Sequence, residues 1–444
     1  MFDKIKLLAS DTIIYGVSTI LGRFLTFLLV PFYTNVLSPS EFGIVSYVFS
    51  LLAFLNVVFG YGMESAYFRY SSSLEIGEKK QNFSTPFTSL FLSSILFAIL
   101  IIVFSEPLSK LAAIPNEHKN IVQYSAWILC FDALALIPFA SLRMERKSKT
   151  FATIKFFNIA ITVLLNIVLL LKFHFGIEGI FMSNLVASIL TFVFLLLTII
   201  KNFSPRFSSQ LYKALLKFGL PYVPAGIATM MVQVIDRPIL RSLTNDATVG
   251  IYQANYRLGI LMMMLVSIFD YAWRPFFLSH AKEENAKELF ARILTYFFLV
   301  MMVVFLVVSL FVDEIITFKF FGHSLIHQNY WSGLSIVPIV LAAYMCLGIS
   351  TNMSAGIYIE KKTKWLPPIT FLGAGINVLV NFLLIPAYGI TGAAWATFCS
   401  YFLMALALYF IVQKIYPVEY EWKRILKIAI AGALADRKST RLNS

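Results

Sequence analysis

Charge is what this chain has least of: 13% of its 444 residues are Asp, Glu, Lys or Arg, against about a quarter in soluble domains. With 59% apolar residues and a mean hydropathy of +0.79, a soluble domain is excluded and an all-α integral membrane protein is expected. Cysteine is scarce too. Cys130, Cys346 and Cys399 lie in apolar stretches without paired spacing or a CxxC, which excludes a disulfide framework and leaves packing. Five histidines are scattered, and His323 with His327, the one pair at ligand spacing, lacks a third ligand; no metal and no cofactor are expected. No Walker motif is present, so the chain does not itself use ATP. The expected outer loops are short, the longest from about Asp313 to Tyr330 with Asp313 and Glu314 as its acids. That disfavours a membrane glycosyltransferase or polymerase, and no enzyme activity is expected.

What is abundant is long apolar sequence. Stretches able to cross a hydrocarbon core of roughly 30 Å as helices run near Thr12 to Val36, Gly43 to Phe68, Phe83 to Ser105, Ile121 to Leu142, Phe151 to Leu171 and Ile177 to Ile200. Six more run near Leu215 to Leu240, Val249 to Trp273, Leu289 to Phe311, Leu334 to Ile359, Trp365 to Pro386 and Gly389 to Val412. The first is too long for a signal-peptide core and lacks a small-residue cleavage site, so it reads as helix one.

The second six repeat the first. Glu145-Arg146-Lys147-Ser148-Lys149 recurs as Glu360-Lys361-Lys362-Thr363-Lys364, and Asn166 as Asn381, both 215 positions on. Pro31 and Gly43 recur as Pro238 and Gly250 at 207, and Gly176-Ile177-x-Gly179 as Gly389-Ile390-x-Gly392 at 213. A steady offset over three stretches indicates a tandem duplication, an architecture common among transporters. The expected organisation is an N-lobe over 1–205 and a C-lobe over 206–415, two homologous six-helix lobes around a central cavity. Residues 416–435 read as the start of a truncated thirteenth helix. The ending 436–444 resembles a translated sequencing-adapter fragment, so the natural C-terminus is expected to be missing.

The net charge of +13 follows from topology. Of 36 basic residues, 25 fall on alternate connections beginning with Lys4 and Lys6, counting Arg143 to Lys155 as one of these connections; five fall on the opposite side and three in the tail. This positive-inside bias puts the N-terminus in the cytoplasm and makes nucleic acid an unexpected partner. Three arginines are left inside spans: Arg23, Arg237 and Arg257. Such placement costs about 2.5 to 3.5 kcal/mol on insertion scales, so each is expected to face protein or water. Arg23 has no acid within one turn, and Arg257 follows the polar cluster Tyr252, Gln253, Asn255 and Tyr256; both suit an anionic cargo group. Arg237 adjoins Asp236, so a structural or gating pair is as open as a place in a cationic cavity. Asp132 is the most interior acid, open to ion-coupled titration or to a hydrogen bond with a Tyr or Ser. Glu64 and Asp270, near Arg69 and Arg274, suit interface roles. Pro31 and Pro238 suggest hinges or fixed kinks, and Asn166 and Asn381 suggest interhelical amide bonds.

Gly22-Arg23-Phe24 through Pro31, Leu37-Ser38-Pro39-Ser40-Glu41-Phe42-Gly43, Asp236-Arg237 and Gly250-Ile251-Tyr252 together resemble polysaccharide biosynthesis proteins. These are lipid-linked oligosaccharide flippases of the multidrug/oligosaccharidyl-lipid/polysaccharide exporter superfamily. The resemblance covers essentially residues 5 to 434 and implies a bacterial cytoplasmic membrane location. It implies undecaprenyl-pyrophosphate-linked oligosaccharide as cargo, moved from the inner to the outer leaflet by alternating access. A coupling ion, H+ or Na+, and the polysaccharide assembly machinery would be further partners. Arg23 and Arg257 would hold pyrophosphate while Tyr252, Gln253 and Asn255 contact sugar. The alternative of the same fold is an ion-coupled multidrug/cation antiporter, which calls for an anionic cavity and gives Asp132 the leading part.

Overall fold

The computed structural model describes Gly22, Phe27 and residues 29–320 and 322–442, with side chains up to Gly432. It is almost wholly helical. In chain order the helices are α1 (29–36), α2 (Pro39–Gly60), α3 (Met63–Ser73), α4 (Lys79–Val103), α5 (Ser105–Leu111) and α6 (Asn120–Met144). They continue as α7 (Ser148–Ile167), α8 (Gly176–Asn202), α9 (Ser209–Gly219), α10 (Tyr222–Val234), α11 (Asp236–Leu243) and α12 (Asp246–Tyr256). The last are α13 (Ile260–His280), α14 (Ala286–Leu310), α15 (Val312–Thr317), α16 (Val337–Ile359), α17 (Leu366–Ile415) and α18 (Trp422–Leu442). Among the described residues the sole sheet pairs Lys319–Phe320 antiparallel to His323–Ser324.

Ten stretches of the described chain are long and apolar enough to cross a membrane. The longest, Thr363–Ile415, has 53 residues, about 80 Å of straight helix, far more than one crossing needs. It is two helices joined at Gly389, whose φ of 54° and ψ of −129° lie where only glycine is at ease. The first expected stretch, Thr12 to Val36, lies largely outside the described residues, and α18 is not among the ten.

Local chemistry explains where the helices begin. Ser38-Pro39-Ser40-Glu41 is a capping box: the Ser38 amide donates to Glu41 Oε2 at 2.8 Å and the Glu41 amide to Ser38 Oγ at 3.3 Å, with Pro39 at the first helical position, where its missing N–H costs nothing. Glu78 with Gln81 opens α4 in the same way, and Asn245 caps α12 through the Thr248 amide.

The repeat is visible in how helices end. At the close of α6 the Arg146 amide donates to Arg143 O at 3.1 Å and the Lys147 amide to Leu142 O at 2.8 Å; at the close of α16 the Lys361 amide donates to Tyr358 O at 3.1 Å and the Lys362 amide to Ile357 O at 2.9 Å. Arg146 and Lys361 both have φ of 54°. These are the same terminal motif, 215 positions apart.

The chain divides into two compact units, each made of two segments. One holds Val48–Ile227 with Gly22; the other holds Phe27–Tyr47 and the residues from Ala228 on. Two of the boundaries, at Tyr47/Val48 and Ile227/Ala228, fall inside helices, α2 and α10. In the first unit α6 packs between α4 and α8, and α7 lies on α8. Its core gathers Met63, Phe83, Leu90, Ile137 and Leu195. In the second unit α16 packs on α17, α13 and α14, and α18 lies on α14, where Gly432 meets Met302.

Candidate functional site

In the second unit, helix seven of the sequence reading is broken. α10 stops at Val234 and α11 begins at Asp236, so Pro238 sits in a first turn, where it breaks no hydrogen bond. Arg237 Nη1 donates to Asp236 Oδ1 at 2.7 Å and to the Gln233 carbonyl at 2.6 Å, while its Nε donates to Gln253 Oε1 at 2.9 Å. The Tyr252 hydroxyl donates to Asp236 Oδ2 at 2.5 Å, and the guanidinium stands over the Tyr256 ring at 4.6 Å. Asp236 and Arg237 are 2% and 6% exposed. A pair so deeply desolvated holds only when its remaining donors and acceptors are engaged, and Tyr252 and Gln253 do that here. Asn255, also fully buried, donates to the carbonyls of Ile251 and Tyr330, each at 2.8 Å.

Arg257 differs. It follows the last turn of α12 and is half-buried, and no hydrogen bond or ion pair engages its guanidinium among the described residues. Tyr33, Tyr256 and Tyr344 lie within electrostatic reach, as does Arg237. Arg23 lies outside the described residues. Pro31 lies within α1, its carbonyl accepting from Asn35 Nδ2 at 2.8 Å; the same amide donates to Ser324 O at 2.8 Å, tying α1 to the strand pair.

In the first unit a cavity of about 580 Å³ opens among α2, α3, α6, α7 and α8. Asp132 lines it and accepts from Ser188 Oγ at 2.8 Å, the interhelical bond that was one of its two expected roles. Glu64 lines it too, paired with Arg143 rather than with Arg69; Arg69 lies 4.0 Å from Glu75. Asp270 does pair with Arg274, at 2.9 Å. Lys155 is exposed and lines the cavity, its ammonium 4.4 Å from the centre of the Phe139 ring. Asn158 beside it donates to Thr191 Oγ1 at 2.8 Å.

The basic run from Arg143 to Lys155 is not a single connection. Arg143 is in the last turn of α6 and Lys155 is eight residues into α7. The usable signal was periodicity: Phe151, Lys155, Asn158 and Thr162 follow helical spacing, as do Asn184, Ser188 and Thr191, and all seven line the cavity. Asn166 and Asn381, expected to bond between helices, donate back one turn within their own, at 2.7 Å to Thr162 O and to Asn377 O.

The family model for polysaccharide biosynthesis proteins matches residues 34–327. The chain belongs to the polysaccharide biosynthesis protein family. It is 21% identical over 287 residues to an Lsg locus protein of Haemophilus influenzae, covering 62% of this chain and 67% of the relative. Its fold resembles the lipid II flippase MurJ in an inward closed conformation, with a TM-score of 0.78, 19% identity and coverage of 95% of this chain and 91% of that one. It also resembles an inward-facing multidrug resistance MATE family transporter of the MOP superfamily, with a TM-score of 0.67, 14% identity and coverage of 92% and 95%. This polysaccharide biosynthesis protein therefore has a MurJ- and MATE-like membrane transporter fold. Among its described residues no three His, Cys, Asp or Glu side chains gather as a metal site.

The two copies of the sequence repeat differ in where charge sits. By the repeat offsets, Asp236, Arg237 and Arg257 stand opposite Leu29, Val30 and Ser50, and Asp132, Arg143 and Lys155 opposite Leu347, Tyr358 and Thr370.

Proposed function

We propose that this protein flips an undecaprenyl-pyrophosphate-linked oligosaccharide from the inner to the outer leaflet of the bacterial cytoplasmic membrane, for cell-surface polysaccharide synthesis. No covalent step is involved. The observation that carries the reading is Arg257: a guanidinium within a membrane-spanning stretch, Asp246–His280, with no acid or hydrogen bond to neutralise it among the described residues. An uncompensated cation at such a depth is costly and persists where it serves an anionic partner. A planar fork of donors suits a pyrophosphate. Membership of the polysaccharide biosynthesis family and the likeness to a lipid II flippase fold support a lipid-linked cargo.

In this reading twelve spans form two six-helix lobes with the N-terminus in the cytoplasm, and cargo is exposed to the two sides in alternation. Arg23 joins Arg257 at the pyrophosphate. Tyr252 and Gln253 hold Arg237 against Asp236, keeping that cation from competing for cargo, and Asn255 fixes the α12 end that presents Arg257. The break before Asp236, with Pro238 after it, and Pro31 in α1 are the flexing points. A coupling ion, H+ or Na+, drives the cycle, and the assembly machinery receives the product.

The test is binding of undecaprenyl pyrophosphate to purified protein in nanodiscs. Saturable binding by wild type, weakened at least tenfold in Arg257→Ala, is expected. Equal binding by wild type and variant would remove Arg257 from the site.

A further inference from the structure

In the second unit, the connection that follows α15 is built against the corner between α1 and α2. Asn35 Nδ2 donates to Ser324 O at 2.8 Å, and the Tyr330 hydroxyl donates to Leu37 O at 2.8 Å. Tyr330 is fully buried, its ring edge-on to Phe42 of α2 at 6.1 Å. Its own carbonyl accepts from Asn255 Nδ2 of α12 at 2.8 Å. The 3-10 helix Gln328–Ile336 lies so close on α12 that a Cβ on Gly333 would stand 2.4 Å from Asn255 Nδ2. One tyrosine thus joins the α1–α2 corner to the helix that leads into Arg257.

The sequence repeat marks this connection as an addition. α4 and α14, Lys79–Val103 and Ala286–Leu310, begin and end 207 positions apart, while the closing motifs of α6 and α16 are 215 apart. The second copy therefore has eight residues more between those points. The first copy joins α5 to α6 through residues 112–119, and the second joins α15 to α16 through residues 318–336; Ser324 and Tyr330 belong to the longer connection. What they hold is a contact without interlocking side chains, because α2 meets α12 at Gly43 and Gly250, backbone against backbone. Hydrogen bonds to carbonyls can be exchanged for bonds to water at a modest net difference, so these bonds hold the corner and still let it go.

We propose that Ser324 to Ile336 act as a clasp, seating the α1–α2 corner on α12 when shut and releasing it when that side of the protein opens. α2 runs on from the corner into the first unit, whose part of the helix begins at Val48, so movement of α2 pulls on Leu37 and Phe42. Asn255, bonded to Tyr330, ties the shut clasp to the turn that presents Arg257. The use of the clasp rests on the alternating access of the flippase reading above; its existence rests on the hydrogen bonds alone.

The test uses the full-length protein in nanodiscs, carrying Ser46→Cys. Ser46 is 7% exposed and lies one turn beyond Phe42 on the same face of α2. Labelling at position 46 by a soluble maleimide, read by mass spectrometry, reports how often the corner leaves α12. Tyr330→Phe removes the bond to Leu37, and Asn35→Leu removes the bond to Ser324. Each should speed labelling at position 46 roughly three- to tenfold, while Cys346 of α16, 8% exposed, keeps its rate. An unchanged rate at position 46 in folded Tyr330→Phe would overturn the proposal, and so would an equal rise at Cys346, the sign of general loosening. Where Tyr330→Phe does not fold, Asn35→Leu reads the same clasp through its other bond, with the same two outcomes. Binding of undecaprenyl pyrophosphate to the wild type reports on the flippase reading separately. Faster labelling without lipid binding would sink that reading and leave the clasp; lipid binding without faster labelling would do the reverse.

Discussion

Gly43 and Gly250, 207 positions apart, meet face to face in the second unit. A Cβ on Gly43 would come within 3.1 Å of the Gly250 nitrogen, and a Cβ on Gly250 within 3.0 Å of the Gly43 nitrogen. Reciprocity of this kind brings two repeat-related positions of the sequence together where α2 meets α12, backbone against backbone, as small residues allow.

Gly43→Ala is therefore expected to damage packing, since its methyl group would stand 1.8 Å from the Asp246 carbonyl oxygen. Backbone cannot rotate away as a side chain can, and a loss of about 1–3 kcal/mol or more is expected. Thermal unfolding in detergent checks it. A variant as stable as wild type would show that the helices part without cost.

Asp236→Ala should be costlier than its charge change suggests. It leaves Arg237, 6% exposed, without its counter-ion, and about 3–5 kcal/mol is the usual consequence. The double variant Asp236→Leu/Arg237→Met removes both charges and should recover most of that loss. Denaturation midpoints of the two variants decide; equal loss in both would mean that the pair contributes through shape and not charge.

Arg146 and Lys361 hold a left-handed backbone, each with φ of 54°, which costs an ordinary residue about 1–2 kcal/mol. Lys361→Gly should be neutral or stabilising by up to about 1 kcal/mol, whereas Lys361→Val should destabilise. The melting temperatures of the two variants test the sign. Gly389, at φ 54° and ψ −129°, is the converse case. A Cβ there meets nothing within 4 Å, so Gly389→Ala should cost about 1–3 kcal/mol through conformation alone.

The repeat was legible because it is local. Helix ends such as 145–149 and 360–364 carry their signal in adjacent residues, and the Asp236–Arg237 pair is adjacent in the chain. The first-unit cavity was not legible by charge placement. Glu64 and Arg143 are 79 positions apart, and nothing in either neighbourhood marks them as partners. By charge alone Lys155 belongs to a basic connection, because positive charge near a span end is ordinary; only the helical spacing of Lys155, Asn158 and Thr162 separates it from the loop. Likewise, nothing near Tyr252 and Gln253 in the sequence marks their hydrogen bonds to Asp236 and Arg237, each across 16 positions.

On the proposed function, the Arg257 guanidinium, which no acid or hydrogen bond engages among the described residues, serves the passage of a lipid-linked anion. The most direct measurement is leaflet-resolved extraction of undecaprenyl-linked oligosaccharide from a host deleted for the gene and complemented with wild type or Arg257→Ala. The account predicts accumulation on the cytoplasmic side in the deletion strain, cleared by wild type and not by Arg257→Ala expressed at equal level. An unchanged leaflet distribution on deletion, with altered sensitivity to cationic drugs in its place, would contradict it.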